Sequence, residues 1–377
     1  MNKKELELYI HIPFCVRKCS YCDFLSAPAT EQTREAYMAA LFAEIGGRAK
    51  DYSDRTVTSI FIGGGTPSLL SGEQIGQLMD RIREQFAMAQ DAEITMEVNP
   101  GTASAEKLRN FYTAGINRLS IGMQSAQAEE LKNLGRIHDF EGFCQVYREA
   151  VEAGFTNINV DIMSGLPGQT LASYRDTLEK VLHLEPMPQH ISAYSLIVEE
   201  GTPFAAMAER GELPLPEEET ERAMYEETIE VLAKYGFHRY EISNYARDGY
   251  ECRHNVGYWI RRDYLGFGIG AASLIDNVRF QNEKSLGAYL AHPLESREEE
   301  QTLTVQDRME ETMFLGLRLT RGVSCVDFAE QYGRTVEEVY GEVIARNVAD
   351  GLLTVTERKE NQKNCLLYTS PSPRDTR

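Results

Sequence analysis

Six short runs with β-strand character alternate with helical patterns in the first 200 residues. The strand-like runs lie at 6–12, 57–62, 93–98, 118–121, 157–162 and 190–196. Between them, apolar residues recur at helical spacing over 31–45, 72–86, 105–114, 140–153 and 171–182. Strand–helix alternation predicts parallel βαβ units, because a parallel neighbour needs a crossover that a helix supplies. Six units fall short of the eight that close a full barrel. The expected fold is therefore α/β, an open, partial (β/α)6 barrel over residues 1–210. In such folds the chemistry gathers at the carboxyl ends of the strands, so the segments that follow each strand are the ones to read.

The first of these holds Cys15, Cys19 and Cys22 in a C-x3-C-x2-C pattern, whereas Cys144, Cys252, Cys325 and Cys365 are scattered. The opening MNKKELELYIHIPFC lacks the apolar run and cleavage site of a signal peptide, and no stretch approaches the roughly 18 apolar residues of a membrane span. The expected compartment is the cytosol, where cysteines stay reduced and a tight group of them reads as metal-binding. Thiolates hold the irons of Fe–S clusters. Three ligands leave one iron of a [4Fe-4S] cluster without a protein partner. That iron can be chelated by the amino and carboxylate groups of S-adenosylmethionine. An electron delivered there breaks a C–S bond and releases a 5′-deoxyadenosyl radical, while the protein orients the cofactors and excludes water. Structural zinc, the competing assignment, wants four closed ligands, and the fourth would have to come from a distant cysteine or His11.

The other strand ends are polar and unusual. They read Gly63-Gly64-Gly65-Thr66-Pro67, Glu97-Val98-Asn99-Pro100, Gly122-Met123-Gln124-Ser125 and a segment from Asp161 to Gly168. Consecutive glycines let the backbone approach a ligand closely. The G-x-x-x-x-G-K-[ST] pattern of a triphosphate loop is absent. Any one of these ends is as consistent with a satisfied turn as with a ligand contact, but together with the cysteine loop they put hydrogen-bonding groups at five successive strand ends.

After residue 200 the pattern changes. A Pro- and Glu-rich stretch at 211–219 leads into a helix ending near Tyr235-Gly236, then come 240–246, 252–259 and the glycine-rich 266–273. Residues 211–300 are expected to be a linker and motif region. Residues 301–363 are expected to form a helical C-terminal domain, an α+β extension whose helix at 336–350 and following Gly351-Leu352-Leu353-Thr354 resemble a winged-helix unit. The net charge of −19 argues against nucleic acid and against docking to an anionic membrane, since both need a basic surface. Such a unit would thus pack on protein. Residues 364–377, rich in Ser, Thr, Pro and Arg, resemble translated adapter sequence and are expected to stand outside the fold, with the native C-terminus missing.

HIPFC-x3-C-x-YC, GGGTP, Glu97–Val98–Asn99–Pro100, GMQS and DIMSGLPGQ together resemble the radical S-adenosylmethionine superfamily. Within it they resemble the group that holds anaerobic coproporphyrinogen III dehydrogenase and its heme-chaperone relative. The resemblance runs from about residue 7 to about residue 356. It implies that Tyr9, Tyr21, Gly65, Thr66, Glu97, Gln124, Arg136 and Asp161 line the S-adenosylmethionine pocket. The residue types suit that role: Arg136 can pair with a carboxylate, Asp161 or Glu97 can accept from ribose hydroxyls or the amine, and Gln124 can donate and accept. Taken alone, Arg136 is an ordinary solvated charge at a helix end.

Two departures separate the relatives. The dehydrogenase carries another cysteine two positions after the third, where this chain has Phe24, and an N-terminal extension, where only eight residues precede Tyr9. Third, His254-Asn255-Val256-Gly257-Tyr258-Trp259 fits the H-N-x-x-Y-W motif of the chaperone group. The resemblance implies haem contact by His254, Tyr258 and Trp259. By itself His254 reads as a loop or core histidine, and Cys252 as a buried structural thiol. The C-x-x-C-H signature of covalent haem is absent. The function expected is that of a heme chaperone, with haem as cargo, acceptor proteins and an electron donor as partners, and a cluster and S-adenosylmethionine as cofactors. The alternatives are radical decarboxylation of coproporphyrinogen III and a radical enzyme acting on an unrelated substrate.

Overall fold

The computed structural model of the chain describes residues 3–295, 297–358 and 363–368. The six expected strands are present as β1 (Lys4–Ile12), β2 (Arg55–Gly64), β3 (Ala87–Val98), β4 (Arg118–Gln124), β5 (Ile158–Ser164) and β6 (His190–Ser195). The helices among them are α1 (Glu31–Arg48), α2 (Gly72–Gln85), α3 (Ala105–Thr113), α4 (Ala128–Leu134), α5 (Phe140–Glu152) and α6 (Leu171–Leu182). Five of these start where a short polar side chain satisfies an otherwise unpaired backbone N–H. Thr30, Ser71, Ser104, Asp139 and Thr170 each accept from the residue three positions on. Helix α4, seven residues long, was not expected.

Strands β1 to β6 pair in parallel and in sequence order, so each crossover lands on the adjacent strand. Their two faces differ chemically. Leu6, Leu8, Ile10 and Ile12 of β1 are fully buried with Val57, Ile60 and Ile62 of β2 against Leu41, Ile75 and Leu78 of the helices. Each such side chain contributes about 1.5–3 kcal/mol by leaving water, so the outer layer can hold the fold. The inner face is thereby free to carry polar groups. Register aligns Glu7 with Ser59 and Ser59 with Glu93. Nearer the strand ends it aligns Glu97, Ser120, Asn159 and His190, then Gly122, Asp161 and Ser192.

The expected linker at 211–300 is instead part of the sheet. After α7 (Pro203–Glu209) and α8 (Glu218–Lys234), β7 (His238–Arg239) and β8 (Asn244–Ala246) extend the β6 edge antiparallel. Helix α9 (Arg253–Trp259) follows, then β9 (Tyr264–Phe267), which pairs in parallel with β1. Strands β10 (Ala272–Ile275) and β11 (Val278–Asn282), helix α10 (Leu286–Ala291) and β12 (Arg297–Thr302) complete that edge. The twelve strands form one sheet with β12 and β7 at its ends, and no pairing joins those two among the described residues.

The C-terminal segment runs α11 (Val305–Gly316), β13 (Val323–Ser324), α12 (Cys325–Tyr332), α13 (Val336–Ala349), β14 (Leu353–Arg358) and β15 (Lys363–Tyr368). Its small core gathers Met309, Phe328 and Val336, and its sheet has the order β13-β15-β14. This helix–strand–helix–helix–hairpin order has the form of a winged helix. Residues 364–368, expected outside the fold, lie in β15; 369–377 lie outside the described residues.

A candidate cofactor site at the strand ends

A cavity of about 420 Å3 opens at the carboxyl ends of β1 to β6, and Cys15, Cys19 and Cys22 all line it. The cysteine loop is held at both ends by backbone bonds, with the Ala27 N–H donating to Pro13 O at 2.9 Å and the Cys15 N–H to Ala27 O at 3.1 Å. The glycine turn clamps it from the β2 side. Gly65 N–H donates to Ile12 O at 2.8 Å, and a Cβ on Gly65 would lie 2.7 Å from Phe14 O and 2.9 Å from Ile12 O. Only glycine lets the two backbones meet there.

Donors face the sulfurs. Thr66 Oγ1 lies 3.5 Å from Cys15 Sγ, and Arg136 Nη1 lies 3.8 Å from Cys19 Sγ. The cysteines form no disulfide. Burial pushes the Cys22 thiol up, and Cys19 and Cys15 add to it; such a group ionises when an iron takes the proton's place. Among the described residues no three His, Cys, Asp or Glu side chains converge on a single-ion site. A donor set of three thiols around one cavity fits a cluster whose irons stand apart.

Seven of the eight residues expected around S-adenosylmethionine line this cavity: Tyr21, Gly65, Thr66, Glu97, Gln124, Arg136 and Asp161. Tyr9 is not on the wall; its hydroxyl lies 2.9 Å from His11 Nδ1. Asp161 receives Asn159 Nδ2 at 2.7 Å and Ser120 Oγ at 3.2 Å. Burial raises its carboxyl nonetheless. Glu97 accepts the Gly64 N–H at 3.0 Å; burial, with the Asp161 charge nearby, pushes it up to about 8. Two half-buried acids on the cavity wall suit a ligand that brings hydroxyls or a cation. Arg136 donates to Gly122 O at 2.8 Å, and its Nε is buried without a partner among the described residues. Gln124 has φ +70, a left-handed backbone that costs a non-glycine residue about 1–2 kcal/mol and that is retained mainly at functional sites.

Asn99, Arg118, Ser192, Tyr194, Ser195 and Asn255 also line the cavity and were not expected. Asn99 and Asn255 stand inside segments already singled out. Ser192 and Tyr194 follow from strand alternation once β6 is known to face the site.

Helix α9 lies on the inner face below the cavity. Glu93 accepts the N–H groups of Arg253 and His254, both at 3.1 Å. His254 is 1% exposed; its Nδ1 lies 2.8 Å from Ser59 Oγ and its Nε2 3.0 Å from Tyr258 OH. Burial, with Arg118 and Arg262 nearby, lowers it to about 3. Glu7, 3.9 Å away, is pushed up to about 8, chiefly by burial. At neutral pH the ring is uncharged, so the contact is not an ion pair. The Trp259 ring lies 4.3 Å from the Arg318 guanidinium.

Comparison with known proteins places this geometry. Residues 9–181 match the Radical SAM superfamily and residues 303–359 the HemN C-terminal domain. The heme chaperone HemW of Bacillus subtilis (strain 168) is 39% identical over 356 residues, which cover 93% of this chain and 93% of that protein. That of Escherichia coli (strain K12) is 37% identical over 358 residues, covering 93% and 92%. The chain belongs to the HemW family of the radical SAM superfamily. Among solved structures, coproporphyrinogen III oxidase (HemN) from Escherichia coli, a radical SAM enzyme, superposes with a TM-score of 0.83 at 28% identity over 97% of this chain and 87% of that one. A HemW-family chain thus shares the HemN fold from the cysteine loop into the C-terminal domain. No helix among its described residues is long and apolar enough to cross a membrane.

Proposed function

We propose that this chain is a heme chaperone: it binds haem and hands it to acceptor proteins, with a [4Fe-4S] cluster on Cys15, Cys19 and Cys22 and S-adenosylmethionine in the adjoining cavity. The observation that carries the choice between relatives is Phe24. It stands where the dehydrogenase pattern has a further cysteine, lines the cavity and is 57% exposed. A large apolar group at the mouth suits contact with an apolar cargo better than a further thiol would.

The chemistry such a cofactor pair supplies when bound is one-electron reduction of a sulfonium. The protein's own groups do the rest. Thr66 and Arg136 donate toward thiolates, Glu97 and Asp161 receive hydroxyl or amine protons, and Gln124 and Arg136 orient a carboxylate. The apolar outer layer excludes water from beneath. As folded, His254 uses both ring nitrogens inside the protein, so it serves haem iron only when α9 leaves its seat. Tyr258 and Trp259, half-buried, offer ring edges at the same place.

The HemN likeness supports a second reading, oxidative decarboxylation of coproporphyrinogen III. One comparison separates them. Haem is titrated into the wild type and His254→Ala, and anaerobic coproporphyrinogen III turnover is assayed on the same preparations. The chaperone reading expects haem binding, transfer to an apo acceptor and no turnover. Turnover without haem affinity overturns it.

A further inference from the structure

The H-N-x-x-Y-W motif and the cavity meet at one residue. His254 is locked inside the fold, but Asn255 beside it is half-buried and lines the cavity. Arg118, the first residue of β4, is on the same wall. Its register partner on β3 is Thr95, below the level of Glu97. Gly122, whose carbonyl oxygen Arg136 holds, lies further along the same strand, about 13 Å away at roughly 3.3 Å per residue. The cavity therefore carries two guanidinium groups at two depths, Arg136 beside the sulfurs and Arg118 near the floor.

Arg118 is 2% exposed, and its Nε is buried without a hydrogen-bond partner among the described residues. The acids near it, Glu93 and Asp161, act on it through charge, and both are engaged elsewhere. Glu93 accepts the N–H groups of Arg253 and His254 and lies 3.5 Å from Cys252 Sγ. Asp161 is held by Asn159 and Ser120. The histidines of this layer are engaged as well, His254 by Ser59 and Tyr258 and His190 by Asn159 and Tyr240. A guanidinium withdrawn from water without a contact partner is costly to fold around. A ligand carboxylate at hydrogen-bond distance outweighs two acids further off, because Coulomb energy falls with separation and the direct pair adds charge-assisted hydrogen bonds. S-adenosylmethionine brings one carboxylate, which Arg136 orients; Arg118 is left for a second. At the mouth the wall is formed in part by Phe24, Tyr194 and Ile197, all exposed. A ligand that suits both ends has an apolar body and a carboxylate arm.

We infer that Arg118 and the Asn255 amide hold one propionate of haem, with the ring lying toward Phe24, Tyr194 and Ile197. This rests on the chaperone reading, and it gives the H-N-x-x-Y-W motif a contact with haem that needs no movement of α9.

The test uses the full chain and two probes in one detergent buffer, haem and its dimethyl ester, which keeps the ring and iron but lacks both carboxylate charges. Titrations are followed by the Soret absorbance. Wild type should bind the ester about thirtyfold more weakly, the loss of charge-assisted hydrogen bonds to one carboxylate. Arg118→Gln removes the cation, and Asn255→Asp puts an anion beside it. Each should weaken haem by a similar factor and leave ester affinity nearly unchanged. Melting curves accompany both variants; where Arg118→Gln does not fold, Asn255→Asp, isosteric and on the cavity wall, decides. Equal affinity of wild type for the two probes overturns the carboxylate site without any variant. An ester penalty that persists undiminished in the variants also overturns it, by placing the propionates elsewhere. So does weaker S-adenosylmethionine binding with haem affinity unchanged, which assigns Arg118 to that ligand. Wild type that binds neither haem nor its ester overturns the chaperone reading itself.

Discussion

A methyl group at position 65 would sit 2.7 Å from the Phe14 carbonyl oxygen, and the neighbour is backbone, which cannot swing aside. Gly65→Ala must therefore push the cysteine loop off β2. The expected cost is about 1–3 kcal/mol of stability, as for other overpacking changes, with a fall in iron bound after reconstitution; unchanged iron content and melting temperature would refute the clamp. Glu97 makes a different kind of prediction. Its folded-state value of about 8 stands above the ordinary 4.5. Between those values the folded chain holds a proton that the unfolded chain has released, so stability falls as pH rises from 4.5 toward 8. Without ligand, Glu97→Gln should melt higher than wild type above pH 8, by about 2 °C for each 1 kcal/mol of relieved charge burial, and equally below pH 4.5. Above pH 8, where Glu97 is ionised, the same variant should bind S-adenosylmethionine about tenfold more weakly, a loss of roughly 1.4 kcal/mol, since a charge-assisted acceptor is gone. Thermal melts across pH and an anaerobic binding titration check both halves.

At the scale of elements, α9 is where motif and structure differ most in what they suggest. H-N-x-x-Y-W points to haem, whereas the fold puts His254 between Ser59 and Tyr258 and sets Gly257 so close to Glu7 that a Cβ would lie 2.1 Å from its carboxylate. His254→Ala removes a partner from the buried Ser59 hydroxyl and from the half-buried Tyr258 hydroxyl and should cost about 1–3 kcal/mol. Loss of haem binding in that variant therefore needs a melting curve beside it. Because His254 is lowered to about 3 from an ordinary 6.5, the unfolded chain takes up a proton first as pH falls. The stability this neutral ring contributes is present above pH 6.5 and is lost toward pH 3. His254→Asn should flatten that part of the wild-type pH–stability curve; an unaltered slope would show that the ring is not buried neutral. The parallel core was legible because its helices repeat at 3.6 residues and begin on Thr, Ser or Asp. The edges were not. Strand β12 reads REEEQT, wholly exposed, and has no alternation to find; only pairing with β11 makes it a strand. Six cavity residues were legible in motifs at strand ends and Arg136 only through the family resemblance, while Tyr194 and Asn255 needed the fold to turn them inward.

At the scale of the whole molecule, α11 of the C-terminal segment lies against α9, and one carboxylate of α11 reaches the sheet. Glu311 of α11 is buried and holds Arg261, just past α9, at 2.8 Å and Arg279 of β11 also at 2.8 Å. Arg261 is itself buried, with side-chain exposure of 5%, so it has no water to fall back on. Removing one partner of such a pair is worth about 3–5 kcal/mol, because the other charge stays buried and uncompensated. The chain carries one tryptophan, and it stands at this joint, with the Arg318 guanidinium over its ring. Emission from Trp259 thus reports whether the C-terminal unit is seated. Glu311→Ala should shift that emission to the red and split thermal unfolding into two transitions, the C-terminal unit melting first. Glu311→Gln, which keeps the shape and part of the hydrogen bonding, should fall between it and wild type. Since α9 lies on the other side of the same joint, the variant also tests whether the haem motif is released by it: faster haem uptake in Glu311→Ala than in wild type is the outcome expected if α9 must leave its seat to bind. Unaltered uptake with a red-shifted Trp259 would show that haem enters elsewhere.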